Sequence, residues 1–82
     1  MEQKQTITLI VKNHPGVLLR ITGLFTRRGF NIDSLTAFPD EKKEFTTMVV
    51  TTYGDGATAK QIIRQVNKVQ EVVSSELRTG EI

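Results

Sequence analysis

Residues 13–16 read Asn-His-Pro-Gly and lie directly before a segment with the apolar periodicity of a helix. The first turn of a helix presents backbone N–H groups that lack intrahelical acceptors and carry partial positive charge. Such groups bind a carboxylate well, and a glycine such as Gly16 lets the backbone approach a ligand closely. Asn, Pro and Gly are also common in turns and at helix starts, and local chemistry alone favours that simpler interpretation.

Catalytic chemistry has little support in the other side chains. The chain contains no cysteine, which excludes a disulfide framework, a thiolate zinc site and a cysteine nucleophile. His14 is the only histidine, so a metal site of two or three imidazoles is also excluded. A Ser-His-Asp triad would need His14, Asp33 and Ser34 to converge, and nothing in their spacing favours this. No nucleotide-binding glycine motif occurs, so we expect no catalytic residues, no bound metal and no cofactor in this chain.

The charge of the chain gives no reason to expect a nucleic acid or a membrane as a partner. The net charge of +2 over 82 residues is small. Lys60, Arg64 and Lys68 form a stripe at helical spacing, which is more typical of a solvated helix face than of a phosphate site. Residues 44–51, where an RNA-recognition motif carries base-stacking aromatics, include a single aromatic. Because neither a membrane-spanning run nor a signal peptide is visible, we expect a cytoplasmic protein.

Hydrophobic periodicity predicts six elements, since period two indicates a strand and period 3.6 indicates a helix. The predicted strands cover residues 5–12, 30–38, 45–53 and 72–77, and the predicted helices cover residues 15–28 and 57–68. The order β-α-β-β-α-β is that of the ferredoxin-like α+β fold, a four-stranded antiparallel sheet with both helices on one face. The other face would carry many threonines and be available to a partner. Residues 1–82 are expected to form one domain.

Local signals place the ends of these elements. Asn13 or His14 is expected to cap the first helix, and Gly29 fits the left-handed position that follows it. Asp55 is a candidate cap for the second helix. The alternation of apolar residues changes phase within the second strand, and a bulge near residues 33–34 would reconcile its two halves.

Residues 11–35 strongly resemble the start of acetolactate synthase small subunits, which carry an ACT domain. The signature parts are N-H-P-G-V at residues 13–17, G-L-F-x-R-R-G-F-N-I at residues 23–32 and S-L at residues 34–35. A contiguous match of this length is specific, and the later elements match the family more loosely. The resemblance covers essentially the full chain as a single ACT domain of the βαββαβ fold.

The resemblance implies a regulatory protein without an active site of its own. ACT domains typically pair so that two sheets join side by side and an amino-acid effector binds between subunits. The site would comprise Asn13, His14, Pro15, Gly16, Val17 and Leu18 of one subunit and Asn31 and Ile32 of its neighbour. The effector carboxylate would meet the N–H groups near Gly16 and Val17. Its ammonium group would donate to the amide oxygens of Asn13 and Asn31.

The resemblance also implies partners. Small subunits of this family activate the catalytic large subunit and confer feedback inhibition by a branched-chain amino acid, usually valine. The thiamine diphosphate, divalent metal and flavin belong to that catalytic subunit. We expect this chain to form a homodimer or a larger oligomer and to contact the catalytic subunit through the threonine-rich sheet face or the second helix.

Two other functional hypotheses involve the same βαββαβ topology. Many small subunits have a second, C-terminal domain, whereas this chain ends near Ile82 and resembles the short form or a freestanding ACT domain. An amino-acid sensor that regulates a different partner is therefore the alternative function. A small hydrolase similar to acylphosphatase would require arginine in the first loop. Residues 13–16 contain no arginine, which disfavours this hypothesis.

Overall fold

Six elements follow one another in the predicted order. The computed structural model describes residues 3–80, so residues 1, 2, 81 and 82 of the predicted domain lie outside the described part. The elements are β1 (Gln3–Lys12), α1 (Val17–Arg27), β2 (Ile32–Pro39), β3 (Phe45–Gly54), α2 (Gly56–Val66) and β4 (Val72–Thr79). The strands form an antiparallel sheet in the order β2-β3-β1-β4, which confirms the predicted ferredoxin-like fold.

Alternation along the two central strands divides the sheet into a buried face and an open face. Ile7 and Leu9 of β1 and Met48 and Val50 of β3 are fully buried, because side chains at spacing two point to the same face. The apolar stripes of the helices complete this core with Val17, Ile21 and Phe25 from α1 and Ala59, Ile62 and Val66 from α2. The helices therefore cover one face, as the sequence pattern predicts.

The open face of the sheet is rich in threonine. Thr6 and Thr8 of β1 and Thr47 and Thr51 of β3 are partly exposed and alternate with the buried core residues of the same strands. Ile10 is more exposed than its neighbours in β1. This confirms the prediction of a semi-polar face opposite the helices.

Strand β2 lies at an edge of the sheet and contains the predicted bulge. Ile32 pairs with Thr52 and Ser34 pairs with Thr51, so Asp33 has no partner in the register. The extra residue places Ile32 and Leu35 on the same face of the sheet, although their spacing is odd. Since β2 pairs only with β3, its other edge presents backbone groups that no strand in residues 3–80 satisfies.

Helix α1 begins at Val17, two residues later than predicted. The N-cap is Gly16, with φ 83° and ψ −7°, and no side chain caps the helix. The prediction that Asn13 or His14 caps α1 is wrong. Proline and glycine occupy the two central positions of a turn closed by the Val17 N–H, which donates to the His14 carbonyl at 3.3 Å. Pro-Gly at these positions, with positive φ at glycine, is typical of a type II turn, which delays the helix.

The other predicted helix signals are confirmed. Gly29 has φ 80° and follows α1 in a Schellman arrangement, in which the Phe30 N–H donates to the Phe25 carbonyl at 2.9 Å. Asp55 is the N-cap of α2, and its carboxylate accepts a hydrogen bond from the Thr58 N–H at 2.7 Å. This backbone hydrogen bond lowers the pKa of Asp55 below its ordinary value.

Candidate functional site

The β1–α1 loop, residues 13–16, forms one wall of a cleft of about 460 Å³ at the N-terminus of α1, here named the α1 cleft. All six residues predicted in this region line it: Asn13, His14, Pro15, Gly16, Val17 and Leu18. They are joined by Val11, Lys12, Leu19 and Thr46. The volume lies within the range of small-molecule sites.

Backbone donors are available at the start of α1. The Arg20 N–H donates to the Gly16 carbonyl at 3.0 Å, which closes the first helical turn. Within residues 3–80 the N–H groups of Gly16, Leu18 and Leu19 have no hydrogen-bond acceptor, whereas the Val17 N–H is used by the turn. A carboxylate at this position would find free donors at Gly16 and Leu18, whereas the expected donor at Val17 is engaged in the turn. The helix dipole adds partial positive charge at this position.

Asn13 is held by two side-chain hydrogen bonds that fix the orientation of its amide. Its Nδ2 donates to the Lys43 carbonyl at 2.9 Å, and its Oδ1 accepts from the Thr46 hydroxyl at 3.0 Å. A backbone carbonyl can only accept, so the amide nitrogen must face Lys43 and the oxygen must face Thr46. One lone pair of Oδ1 and one Nδ2 hydrogen stay available to a ligand.

The apolar side of the α1 cleft comes from the first turns of α1. Val17 is buried, while Leu18 is 43% exposed and Leu19 is 78% exposed. A built Cβ at Gly16 would meet no heavy atom within 4 Å, so the space above this glycine is open. The cleft thus combines free N–H donors, one fixed amide and exposed leucine side chains, which suits a small zwitterion with an apolar side chain.

Asn31 and Ile32 line a second cleft of about 410 Å³, here named the β2 cleft, together with Gly29, Asp33 and Tyr53. The Asn31 carbonyl accepts a hydrogen bond from the Thr52 hydroxyl, and its side-chain amide has no partner within residues 3–80. The two clefts lie at opposite ends of the sheet: Lys12 pairs with Phe45, whereas Ile32 pairs with Thr52. Within one chain, the predicted site residues therefore lie in two separate groups, one in each cleft.

Thr46 was not predicted as a site residue, although it lines the α1 cleft and donates to Asn13. The alternation of β3 places Thr46 on the buried face with Met48, and a buried hydroxyl requires a hydrogen-bond partner. The sequence therefore carries a signal for an inward-facing polar group, but it does not identify Asn13 as the partner.

The described residues do not assemble the catalytic groups considered above. His14 lines the α1 cleft and Asp33 lines the β2 cleft, while the Ser34 hydroxyl is hydrogen-bonded to that of Thr51. Within residues 3–80 no group of three or more His, Asp or Glu side chains is placed to hold a metal ion. None of the helices in this part of the chain is long and apolar enough to cross a membrane.

Sequence relatives share a common description. The family described as AHAS small subunit-like ACT domain matches residues 7–74. The probable acetolactate synthase small subunit of Archaeoglobus fulgidus is 46% identical over 70 residues, which are 85% of this chain and 44% of the relative. The acetolactate synthase isozyme 3 small subunit of Escherichia coli is 36% identical over 94% of this chain and 48% of its own length. This chain spans about half the length of these relatives.

Solved structures agree with this family. The acetolactate synthase small subunit of Thermotoga maritima superposes with a TM-score of 0.80 at 36% identity, over 90% of this chain and 46% of that one. The ACT domain from the GTP pyrophosphokinase of Chlorobium tepidum superposes with a TM-score of 0.82 at 16% identity, over 95% of this chain and 100% of that one. That second likeness shows the fold alone. With the match over residues 7–74, this chain belongs to the family of AHAS small subunit-like ACT domains.

Proposed function

We propose that this chain is the regulatory ACT domain of an acetolactate synthase small subunit and that it binds a branched-chain amino acid such as valine. The observation that supports this most directly is the α1 cleft, where N–H groups without acceptors lie beside exposed leucine side chains. Such a site suits a free amino acid, because the carboxylate needs donors and the side chain needs an apolar wall.

The carboxylate of valine would accept hydrogen bonds from the N–H groups of Gly16 and Leu18 at the positive end of the α1 dipole. The ammonium group would donate to the free lone pair of Asn13 Oδ1. The isopropyl group would contact Leu18. The Asn13 amide is already oriented by Lys43 and Thr46, so little entropy is lost when it binds the ligand.

The contribution of Asn31 and Ile32 would come from a second chain. The unpaired edge of β2 offers a place for two sheets to join, and Leu35 of this strand is 42% exposed. In an antiparallel pairing of two β2 edges about a two-fold axis, the start of one β2 lies beside the end of the other. The α1 cleft of one chain would then meet the β2 cleft of its neighbour, which brings Asn31 to Asn13.

Isothermal titration with valine, leucine and glycine tests the effector site. We expect saturable binding of valine and weaker binding of glycine, which lacks the apolar side chain. Asn31→Ala should weaken valine binding about tenfold or more, because a hydrogen bond to a charged group is lost. Asn67→Ala is the matched control, since Asn67 bonds to Ser75 at the end of α2 and lines neither cleft. No heat with any branched amino acid would contradict the effector role.

Mixing two inactive variants tests the interchain site. Chains with Asn13→Ala and chains with Asn31→Ala each lack one side of every site. A mixed dimer would contain one site with both asparagines intact and one site with neither, so valine binding should return in the mixture. If the mixture binds no better than either variant alone, the two asparagines do not meet across a chain interface.

A pull-down and an activity assay with the large subunit test whether this chain regulates it. We expect this chain to retain an acetolactate synthase large subunit in a pull-down and to raise its activity, with valine reversing that effect. Thiamine diphosphate, metal and flavin would be found with the large subunit. Valine binding without capture of the large subunit would favour the alternative, an amino-acid sensor with a different partner.

A further inference from the structure

The β1–α1 loop has few restraints of its own. Gly16 caps α1 with its backbone alone, and no side chain closes the N-terminus of the helix. The direction of the free N–H groups of Leu18 and Leu19 therefore depends on how β1 ends and how α1 begins. Asn13 fixes the loop to β3 and to the β2–β3 hairpin, and a different residue fixes it on the side of β4.

That residue is Glu71, which contacts both ends of the loop. Its carbonyl accepts a hydrogen bond from the Lys12 N–H at 2.8 Å, directly before the loop. Its carboxylate accepts from Arg20 Nη1 at 2.8 Å, in the first turns of α1. Arg20 in turn donates its backbone N–H to the Gly16 carbonyl at 3.0 Å. One residue of the α2–β4 connection thus joins the end of β1 to the start of α1.

Two features distinguish this contact from an ordinary exposed ion pair. Arg20 and Glu71 form the only ion pair within residues 3–80. The Glu71 side chain is 18% exposed, whereas that of Arg20 is 56% exposed. The register between β1 and β4 also shifts directly beside it, from Ile10↔Ser74 to Val11↔Val72, which leaves Val73 unpaired. A bulge redirects a strand, and Glu71, the residue that precedes β4, bonds to Lys12 directly before the loop.

We propose that Glu71 is a positioning residue of the effector site, which holds the first turn of α1 so that its free N–H groups point into the α1 cleft. This inference rests on the function proposed above. Glu71 does not line the α1 cleft and acts through Arg20 and the end of β1.

The size of the effect distinguishes positioning from simple electrostatics. Glu71→Gln removes a negative charge near a site that receives a zwitterion. If charge alone mattered, the gain for the carboxylate and the loss for the ammonium would largely cancel, and valine affinity would change little. Positioning predicts weaker binding, because a neutral amide holds the Arg20 guanidinium less strongly than a carboxylate does. We expect valine affinity to fall about fivefold in Glu71→Gln, which is the upper end of what a partly exposed ion pair contributes.

The experiment compares four chains by valine titration and thermal unfolding. Glu76→Gln is the matched control, because Glu76 is exposed on β4 and pairs with Thr8 on the open face. The charge-reversed chain Arg20→Glu/Glu71→Arg should bind valine within about twofold of the wild type if the pair itself matters. Unchanged or tighter binding by Glu71→Gln would overturn the proposal, as would a failure of the reversed pair to recover the affinity.

A readout without ligand separates this proposal from the effector function. Amide hydrogen exchange of Asn13 and Arg20 is measured in the free protein, where their N–H groups donate to Glu44 and Gly16. Glu71→Gln should exchange these amides about fivefold faster than Glu76→Gln does. If the wild type binds no amino acid, the effector function fails, but faster exchange would still support the positioning role. Equal exchange in the two variants would refute it.

Discussion

Two glycines of the α1 region allow the same chemical change with opposite expected effects on stability. Gly16 is the N-cap and has φ 83°, whereas Gly23 lies inside α1 and has no positive φ. A Cβ added at either position would meet no heavy atom within 4 Å. Steric clashes are therefore absent from both substitutions, and only the backbone conformation distinguishes them.

The magnitudes follow from that difference. Gly16→Ala places an L residue in the left-handed region, which costs about 1–2 kcal/mol. Reduced freedom of the unfolded chain offsets about 0.5–1 kcal/mol of this cost. Gly23→Ala raises helix propensity, which already includes this reduction in the freedom of the unfolded chain, and it should stabilise by about 0.5–1 kcal/mol. The two variants should therefore differ by roughly 1.5 kcal/mol, or about 6–12 °C in Tm for a domain of this size.

Thermal unfolding followed by circular dichroism measures this difference, and valine titration measures its functional counterpart. We expect Gly16→Ala to have a lower Tm than the wild type and Gly23→Ala to have a higher one. Valine binding should weaken only in Gly16→Ala, because only that change alters the turn beside the free N–H groups. Equal shifts of Tm in the same direction would refute the left-handed assignment of Gly16. Normal valine binding by Gly16→Leu would count against the effector site.

Three further predictions concern the rest of the fold. Lys43 has φ 59° in the β2–β3 hairpin, so Lys43→Gly should raise stability by about 0.5 kcal/mol; an unchanged or lower midpoint in urea would contradict this. A Cβ at Gly54 would lie 2.7 Å from the buried Phe30 ring, so Gly54→Ala should lower stability by about 1–3 kcal/mol in the same assay, and an unchanged urea midpoint would contradict this. The lowered pKa of Asp55 means that its carboxylate stabilises the fold above pH 3.8 and that this contribution disappears as the pH falls through the lower folded value. Asp55→Asn should remove this step from a plot of Tm against pH, and its persistence would exclude Asp55 as the source.

The parts of the fold that could be predicted are those with a local physical cause. Gly29 ends α1 because only glycine adopts its backbone conformation without strain, and that requirement is readable from one residue. Asp55 caps α2 through a residue three positions away. The bulge at Asp33 follows from a change of phase in the apolar alternation, which is also a local pattern.

The parts that could not be predicted depend on residues distant in the sequence. The sequence predicts Asn13 or His14 as the cap of α1, but the Asn13 side chain bonds to Lys43 and Thr46, about thirty residues away. The contact of Arg20 with Glu71 spans 51 positions, and neither residue type signals it. The Pro-Gly pair is a local signal for a type II turn. Proline is also common at the first position of a helix, so the sequence alone does not decide between a turn and a helix start at these residues.

The separation of the two clefts determines how an effector would act. The clefts lie beside Phe45 and Thr52 of strand β3, and the seven residue steps between these positions, at about 3.3 Å each, span about 23 Å. A single amino acid therefore cannot contact Asn13 and Asn31 of the same chain, since the two clefts lie at opposite ends of the sheet. A site that uses both asparagines exists only in a pair of chains, and ligand binding then stabilises that pair by mass action. Because such linkage is reciprocal, a partner that separated the chains would weaken effector binding by the same factor, and under the proposed function this would couple the ligand to a catalytic subunit.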